Sequence, residues 1–294
     1  MNTSPDSLQR FLFEAAPIRG EFVHLDASWR SVLARHDYPL PLRSLLGELM
    51  AAAALMAAML KLQQGSLILQ IQGHGPVSLL VVECSGDLQV RATAKWDGEL
   101  AAGSSATELI GDGRFVITLD QKTGGQVYQG IVALEGESVA AMLQNYMLRS
   151  EQLETHLWLA ADGEHAAGLM LQKLPEQAGG DDDAWPRVGA LAETVTAAEL
   201  LALTAPELLH RLYHEEDVRL FDAQPVAFGC SCSRENVAEM LKMIGSDEVD
   251  AVLEEQGSIQ VCCEFCNQCY VFEEDDVDEI FAAPAVVTPD EIQH

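Results

Sequence analysis

Between residues 66 and 72, Leu67, Leu69 and Ile71 alternate with mostly polar neighbours, a period of two that predicts a half-buried strand. The turn signals Gly73-His74-Gly75-Pro76 and Ser85-Gly86-Asp87 set off two further strands, over 77–84 and 88–96. The same reading gives strands over 114–120, 126–134, 154–160 and 167–174, with a helix over 138–148. Ahead of them the pattern looks helical, at 6–14 and 28–36, and an Ala-rich helix follows the turn His36-Asp37-Tyr38-Pro39. Its apolar run, 49–60, ends at Lys61 and is too short to span a bilayer, so it reads as a tightly packed core helix. Closely spaced strands with short turns and grouped, flanking helices predict an α+β domain with a largely antiparallel sheet.

The texture changes at Pro175-Glu176-Gln177-Ala178-Gly179-Gly180-Asp181-Asp182-Asp183, where Pro, paired Gly and a run of like charge mark a linker. Two short helices follow with capping-box starts, Thr196 with Glu199 and Thr204 with Glu207, running to about Leu203 and Tyr213. With no sheet of their own, they read as a marginally stable middle segment. From Cys230, Ser233 can cap a helix that stops at Gly245, and Ser246 another that stops at Gly257. A short hairpin over 259–272, an acidic helix and a tail after Ala282 with a disordered-looking sequence are expected to follow. The expected divisions are an α+β core domain over 1–174, an acidic helical linker over 175–229 and a small C-terminal domain over 230–294.

Charge sharpens this division. The 294 residues carry a formal charge of −29, which disfavours nucleic-acid and anionic-membrane partners. Residues 1–174 hold 12 basic and 19 acidic side chains, whereas residues 175–294 hold 5 and 27. Six of the seven cysteines also fall in the acidic part. The N-terminus lacks the basic and apolar regions of a signal peptide, so the expected location is cytoplasmic. There a late cluster of cysteines points to a metal or redox site rather than a disulfide framework.

That cluster is Cys230-Ser231-Cys232, about thirty residues, then Cys262-Cys263-Glu264-Phe265-Cys266-Asn267-Gln268-Cys269. A C-x-C paired with a distant C-x-x-C can place four thiolates tetrahedrally around one zinc, a closed site with no open position for substrate. Six cysteines offer more ligands than four. A knuckle turn favours a residue tolerant of positive φ after its second cysteine, which Asn267 is and Tyr270 is not. The turn argument therefore selects Cys263 and Cys266, leaving Cys262 and Cys269 as neighbouring spare thiols. Spacing alone weighs a structural zinc knob and a redox site about equally. Two features favour redox: each pair can close a small disulfide ring once the metal leaves, and the unit has few apolar positions, such as Leu241, Val249, Leu253 and Phe272. So thin a core depends on its metal, which supplies roughly 10–16 kcal/mol of apparent binding energy.

Taken together, these residues resemble the heat-shock protein 33 family of redox-regulated bacterial chaperones. The resemblance spans essentially the whole chain. It includes Arg10-Phe11-Leu12-Phe13-Glu14, Arg19-Gly20, His36-Asp37-Tyr38-Pro39, Tyr128-Gln129-Gly130 through Leu134-Glu135-Gly136, Arg149-Ser150-Glu151-Gln152-Leu153, Leu212-Tyr213-His214-Glu215-Glu216 and Cys230-Ser231-Cys232-Ser233-Arg234-Glu235. It implies zinc on Cys230, Cys232, Cys263 and Cys266 in the reduced form, one ion per chain, and disulfides Cys230–Cys232 and Cys263–Cys266 in the oxidised form. It also implies an ATP-independent holdase rather than an enzyme, dimeric when active, that takes unfolded or oxidatively damaged client proteins. The chain departs from the family pattern at Cys262 and Cys269, where the family often has His or another residue, and at Asn267, where it has Gly; the extra thiols leave alternative ligands or mispaired disulfides open.

Two other functions fit parts of the sequence. A thiol-disulfide oxidoreductase would carry its C-x-x-C at a helix start in a βαβ setting, whereas these pairs sit on loops. A zinc-ribbon adaptor for nucleic acid would need basic residues, and only Arg234 and Lys242 occur beyond Cys230. His210 and His214 have the spacing to share a metal, but Arg211 stands where a metalloprotease needs Glu, so a surface or packing pair is expected. Cys84 reads as packed core and Gly111-Asp112-Gly113 as a turn.

Overall fold

The computed structural model describes residues 6–60, 62, 65–121, 127–175, 181 and 183–282. Of the expected linker, residues 176–180 and 182 lie outside the described residues, as does the tail after Ala282. Contacts divide the chain into two compact units, Met1–Gly229 and Cys230–His294.

The large unit begins with β1 (Ser7–Phe13) and β2 (Ile18–Leu25), then α1 (Ala27–Leu33) and α2 (Leu40–Leu60). A meander of β3 (Ser66–Gly73), β4 (Val77–Ser85) and β5 (Gln89–Trp96) follows, then α3 (Ala106–Ile110), β6 (Gly113–Asp120) and β7 (Tyr128–Val132). Next come α4 (Val139–Arg149), β8 (Thr155–Ala161), β9 (Ala166–Lys173) and the helices α5 (Ala184–Ala192), α6 (Ala197–Ala202) and α7 (Ala205–Tyr213). Three short strands, β10 (Val218–Leu220), β11 (Gln224–Pro225) and β12 (Ala227–Phe228), close the unit.

Among the described residues these strands form two sheets. One runs β10-β1-β2-β9-β8, with β11 also on β1; the other runs β12-β5-β4-β3-β6-β7. Pairing is antiparallel throughout except between β12 and β5. The α+β class is as expected, but α2 lies between the sheets and contacts both. The helix is also longer than its apolar run. At 21 residues it is long and apolar enough to cross a membrane, yet 83% of its most apolar window is buried inside the unit. Small alanines along α2 let both sheets approach its backbone closely, and Ala51 through Ala54 are fully buried.

The first sheet is buried on both faces. Leu8, Val23, Leu25 and Met170 point into the α2 core, whereas Phe11, Phe13, Ile18, Phe22, Leu169 and Leu171 point the other way, under α5, α6 and α7. Val188, Leu200, Leu208, Leu212 and Tyr213 are among the buried side chains of that helical cover. Gly20 pairs with Phe11 across the ladder, and a Cβ there would lie 2.0 Å from the Phe11 ring.

Several expectations are corrected here. Residues 7–13 form a strand, not a helix, because Leu8 and Phe11 serve opposite buried faces and so mimic helical spacing. Strand β2 and helix α5 go unanticipated, and residues 218–228 contribute strands to both sheets instead of lacking one. The capping boxes at Thr196 and Thr204 form as read, with each Glu carboxylate accepting from the cap's backbone N–H at 3.0 and 2.9 Å.

The second unit consists of α8 (Arg234–Ile244), α9 (Ser246–Gln256), the hairpin β13 (Ile259–Cys262) and β14 (Cys269–Phe272), and α10 (Glu274–Ala282). Ser233 caps α8, accepting from the Asn236 N–H at 3.1 Å. Gly245 rather than Ser246 sits at the N-cap of α9, and Gly257 ends that helix at φ +77°. Among the described residues its buried core is five side chains, Leu241, Val249, Ile259, Phe272 and Val277, with Leu253 only partly buried.

Candidate metal centre

Two loops supply the thiols. Cys230 and Cys232 precede the Ser233 cap, and their loop is tied to α8 by the Asn236 side-chain amide, which donates to the Ser231 carbonyl at 2.8 Å. Cys263 and Cys266 lie in the turn that joins β13 to β14. There the Asn267 N–H donates to the Cys263 carbonyl at 2.8 Å and the Cys263 N–H to the Gln268 carbonyl at 2.9 Å. Asn267 adopts φ +58°, the left-handed conformation that the turn argument requires of it.

These four sulfurs converge. All lie within 4.8 Å of one another, with Cys230 Sγ 3.6 Å from Cys263 Sγ and Cys232 Sγ 3.3 Å from Cys266 Sγ. Four thiolates around one zinc at about 2.3 Å stand about 3.8 Å apart, so the donor set and its spacing fit a tetrahedral metal. Both of these contacts cross between the loops, as expected where one ion gathers both. Burial pushes the Cys266 thiol up to about 12, with added upward pressure from the sulfurs around it, and the Cys263 thiol moves in the same direction, also chiefly from burial. Crowded sulfurs resist ionising by themselves, and a bound cation reverses that preference. The Tyr270 hydroxyl donates to Cys232 Sγ at 3.5 Å, adding an outer hydrogen bond.

Arg234 locks the unit around this site. Its guanidinium lies 4.2 Å from the Phe272 ring centroid, donates to the Val271 carbonyl at 2.7 Å and pairs with Asp276 at 2.8 Å. One side chain thus joins α8, the hairpin and α10. The sequence shows Arg234 in the C-x-C segment and as one of two basic residues beyond Cys230, without giving it a role; an arginine just after a cap, in a stretch nearly devoid of basic residues, is the signal that marks it. Cys262 and Cys269, which the sequence leaves as spare thiols, alternative ligands or partners in mispaired disulfides, are joined to each other as a disulfide across the hairpin.

The remaining candidates lie elsewhere. Cys84 is fully buried in the α2 core, and burial raises its thiol to about 12, so it is packed rather than poised as a nucleophile. His210 on α7 and His214 at its C-cap are exposed, with ring centroids 6.2 Å apart. Gly111, at φ +63°, turns the chain from α3 into β6.

Known proteins are similar to this chain in sequence and in fold. A protein from Methylobacillus flagellatus named 33 kDa chaperonin is 54% identical over 290 residues, covering 98% of this chain and 99% of its own. The 33 kDa chaperonin of Chromobacterium violaceum is 54% identical over 291 residues, covering 98% of each chain. The crystal structure of the 33 kDa chaperonin (heat shock protein 33 homolog) of Thermotoga maritima superposes with a TM-score of 0.78 at 19% identity, covering 94% of this chain and 98% of that one, and shows the same fold. The family model described as Hsp33 protein matches residues 6–273, and the chain belongs to that family.

Proposed function

We propose that this chain is a redox-regulated, ATP-independent holdase chaperone of the cytoplasm, inactive when reduced and zinc-bound. Its relatives' name, 33 kDa chaperonin, supports a chaperone that binds client proteins. The observation that carries the regulated form of this reading is the convergence of Cys230, Cys232, Cys263 and Cys266 on a unit whose buried core is five side chains. Zinc on these thiolates supplies no open coordination position and no substrate chemistry; it holds two loops together. Oxidation to Cys230–Cys232 and Cys263–Cys266 disulfides removes the ligands, zinc leaves, and the unit loses its main support.

The chain continues directly from this unit back into β12, β11 and β10, and through them to α7, α6 and α5. Loss of order at Cys230 therefore propagates first into two- and three-residue strands, the shortest ladders of the large unit. If the helical cover follows, the face carrying Phe11, Phe13, Phe22, Leu169 and Leu171 becomes available to unfolding clients. The charge of the departing segment keeps it soluble while unfolded. The active form is a dimer that acts without catalysis.

The test follows zinc release and suppression of a heat-unfolded client's aggregation in one sample, first reduced, then treated with peroxide at raised temperature. Protection should appear with zinc release. Equal protection by the reduced protein, or activation with zinc still bound, overturns the switch.

A further inference from the structure

Cys262 and Cys269 face each other in the β13–β14 ladder, outside the four-thiol cluster. The Cys263 N–H donates to the Gln268 carbonyl at the next position inward, so Cys262 and Cys269 occupy a non-hydrogen-bonded pair. That is the kind of pair in which facing side chains approach most closely, and here the two sulfurs are joined. Successive side chains alternate across a strand, so Cys262 and the adjacent ligand Cys263 serve opposite faces of the hairpin. The two arrangements coexist: the disulfide is closed while the other four sulfurs remain gathered within 4.8 Å. Cys262 is exposed and Cys269 half-buried, so a small oxidant reaches the pair without opening the metal site.

We propose that Cys262 and Cys269 form a third redox couple, a clasp at the base of the metal-binding turn that closes with the metal still held and slows its release. The proposal rests on the reading that the other four thiols hold zinc. A peroxide is the oxidant. One cysteine sulfur attacks the O–O bond and becomes a sulfenic acid as the first water leaves; the second sulfur then displaces the sulfenic oxygen. One S–S bond forms, the two thiols give up two electrons and two protons, and the peroxide departs as two waters. The closed clasp fastens both ends of the turn that Cys263 and Cys266 must leave to release the metal. For a loop closed at a sequence separation of 7, chain entropy caps the slowing at roughly sixtyfold. The ladder already restrains both ends, so the expected slowing is about tenfold.

The experiment treats the reduced, zinc-loaded full chain with one equivalent of hydrogen peroxide, following zinc with a chromophoric indicator and disulfides by mass spectrometry after alkylation. Cleavage after Glu264 or Phe265 separates the two strands of the hairpin, and fragment-ion sequencing distinguishes Cys262 from Cys263 and Cys266 from Cys269. The first disulfide should map to Cys262–Cys269 with zinc retained. At a higher dose, C262S/C269S and C262V/C269V should release zinc about tenfold faster than the parent chain. The proposal fails if Cys262 and Cys269 stay alkylatable while the other four are oxidised, or if either is linked to one of those four. It also fails if zinc leaves with the first disulfide, if both variants release zinc at the parental rate, or if neither variant binds zinc. Failure of the parent chain to bind zinc at all would instead sink the four-thiol reading, while the Cys262–Cys269 link is still read from the peptide map.

Discussion

In the large unit, a 21-residue helix lies between two sheets with fourteen of its residues buried. In the second unit, three helices and a hairpin share five buried side chains and four convergent thiols. The first is held by packing that no single ligand controls. The second concentrates its stability in bonds that one chemical event can remove. Apolar burial changes little with redox state, whereas thiolate coordination is abolished by oxidation. A protein built from both can lose one part while keeping the other, and the contrast can be tested from either side.

The largest effect should come from removing the metal. Structural zinc contributes roughly 10–16 kcal/mol of apparent binding energy, more than a domain with so small a core can replace. A strong chelator under reducing conditions should release the amides of α8, α9 and the β13–β14 hairpin to fast hydrogen exchange. Those of β3, β4 and β9 should remain protected. Persistent protection of Val261 and Tyr270 in the metal-free reduced chain would show that the five-residue core suffices, and the contrast would collapse.

The converse perturbation is Leu49→Ala. Leu49 is fully buried on α2, and truncating such a side chain costs about 3–5 kcal/mol in lost transfer energy and cavity formation. Urea unfolding of the large unit should shift by that amount with zinc affinity unchanged. A parallel loss of zinc affinity would mean that the two units do not draw on separate sources of stability.

How much of this was legible depended on how many faces an element buries. Strands β3 to β6 were readable because Leu67, Leu69 and Ile71, or Phe115 and Ile117, alternate against one core. Strand β2 was not, since Ile18 and Phe22 point one way and Val23 and Leu25 the other, erasing the period. Strands β10 to β12 are too short to carry any period and exist because β1 and β5 offer them an edge. At the candidate site, cysteine spacing and the positive-φ tolerance of Asn267 singled out the four thiols that converge. The pairing of Cys262 with Cys269 was hidden because it depends on hairpin register. Counting outward from a turn closed by Cys263 and Gln268 would have found it.

Packing has a cost of its own, and Glu48 exposes it. This α2 carboxyl is raised from 4.5 to about 7 by burial alone. The folded state therefore binds the proton more tightly than the unfolded chain between those values. Its contribution to stability is fully present below pH 4.5 and is lost as pH rises through 7. The shift sets a ceiling of about 3 kcal/mol. Because the side chain is only partly buried, about 1–2 kcal/mol is expected. Glu48→Gln should match the parent near pH 3.5, below the unfolded value, and exceed it by that amount at pH 8 in urea titrations. Glu21, also raised to about 7 chiefly by burial, stays in both chains, so the difference isolates Glu48. A constant difference across this range would remove Glu48 as the cause.

The smallest effect probes the second unit where its backbone meets the metal turn. Asn267 holds φ +58° while its N–H reaches the Cys263 carbonyl, which sets the direction of the Cys263–Cys266 pair. Left-handed backbone disfavours a residue with a Cβ, least for Asn and not at all for Gly. Asn267→Ala should therefore cost about 1 kcal/mol in the folded, metal-bound form, or about fivefold in zinc affinity. Asn267→Gly should bind as tightly as the parent or slightly better. Competition with a calibrated chelator at fixed pH resolves both, and neither change should move the unfolding midpoint of the large unit. If alanine and glycine weaken zinc equally, the Asn side chain rather than its backbone conformation supports the turn, and the positive-φ argument that selected Cys263 and Cys266 loses its physical basis.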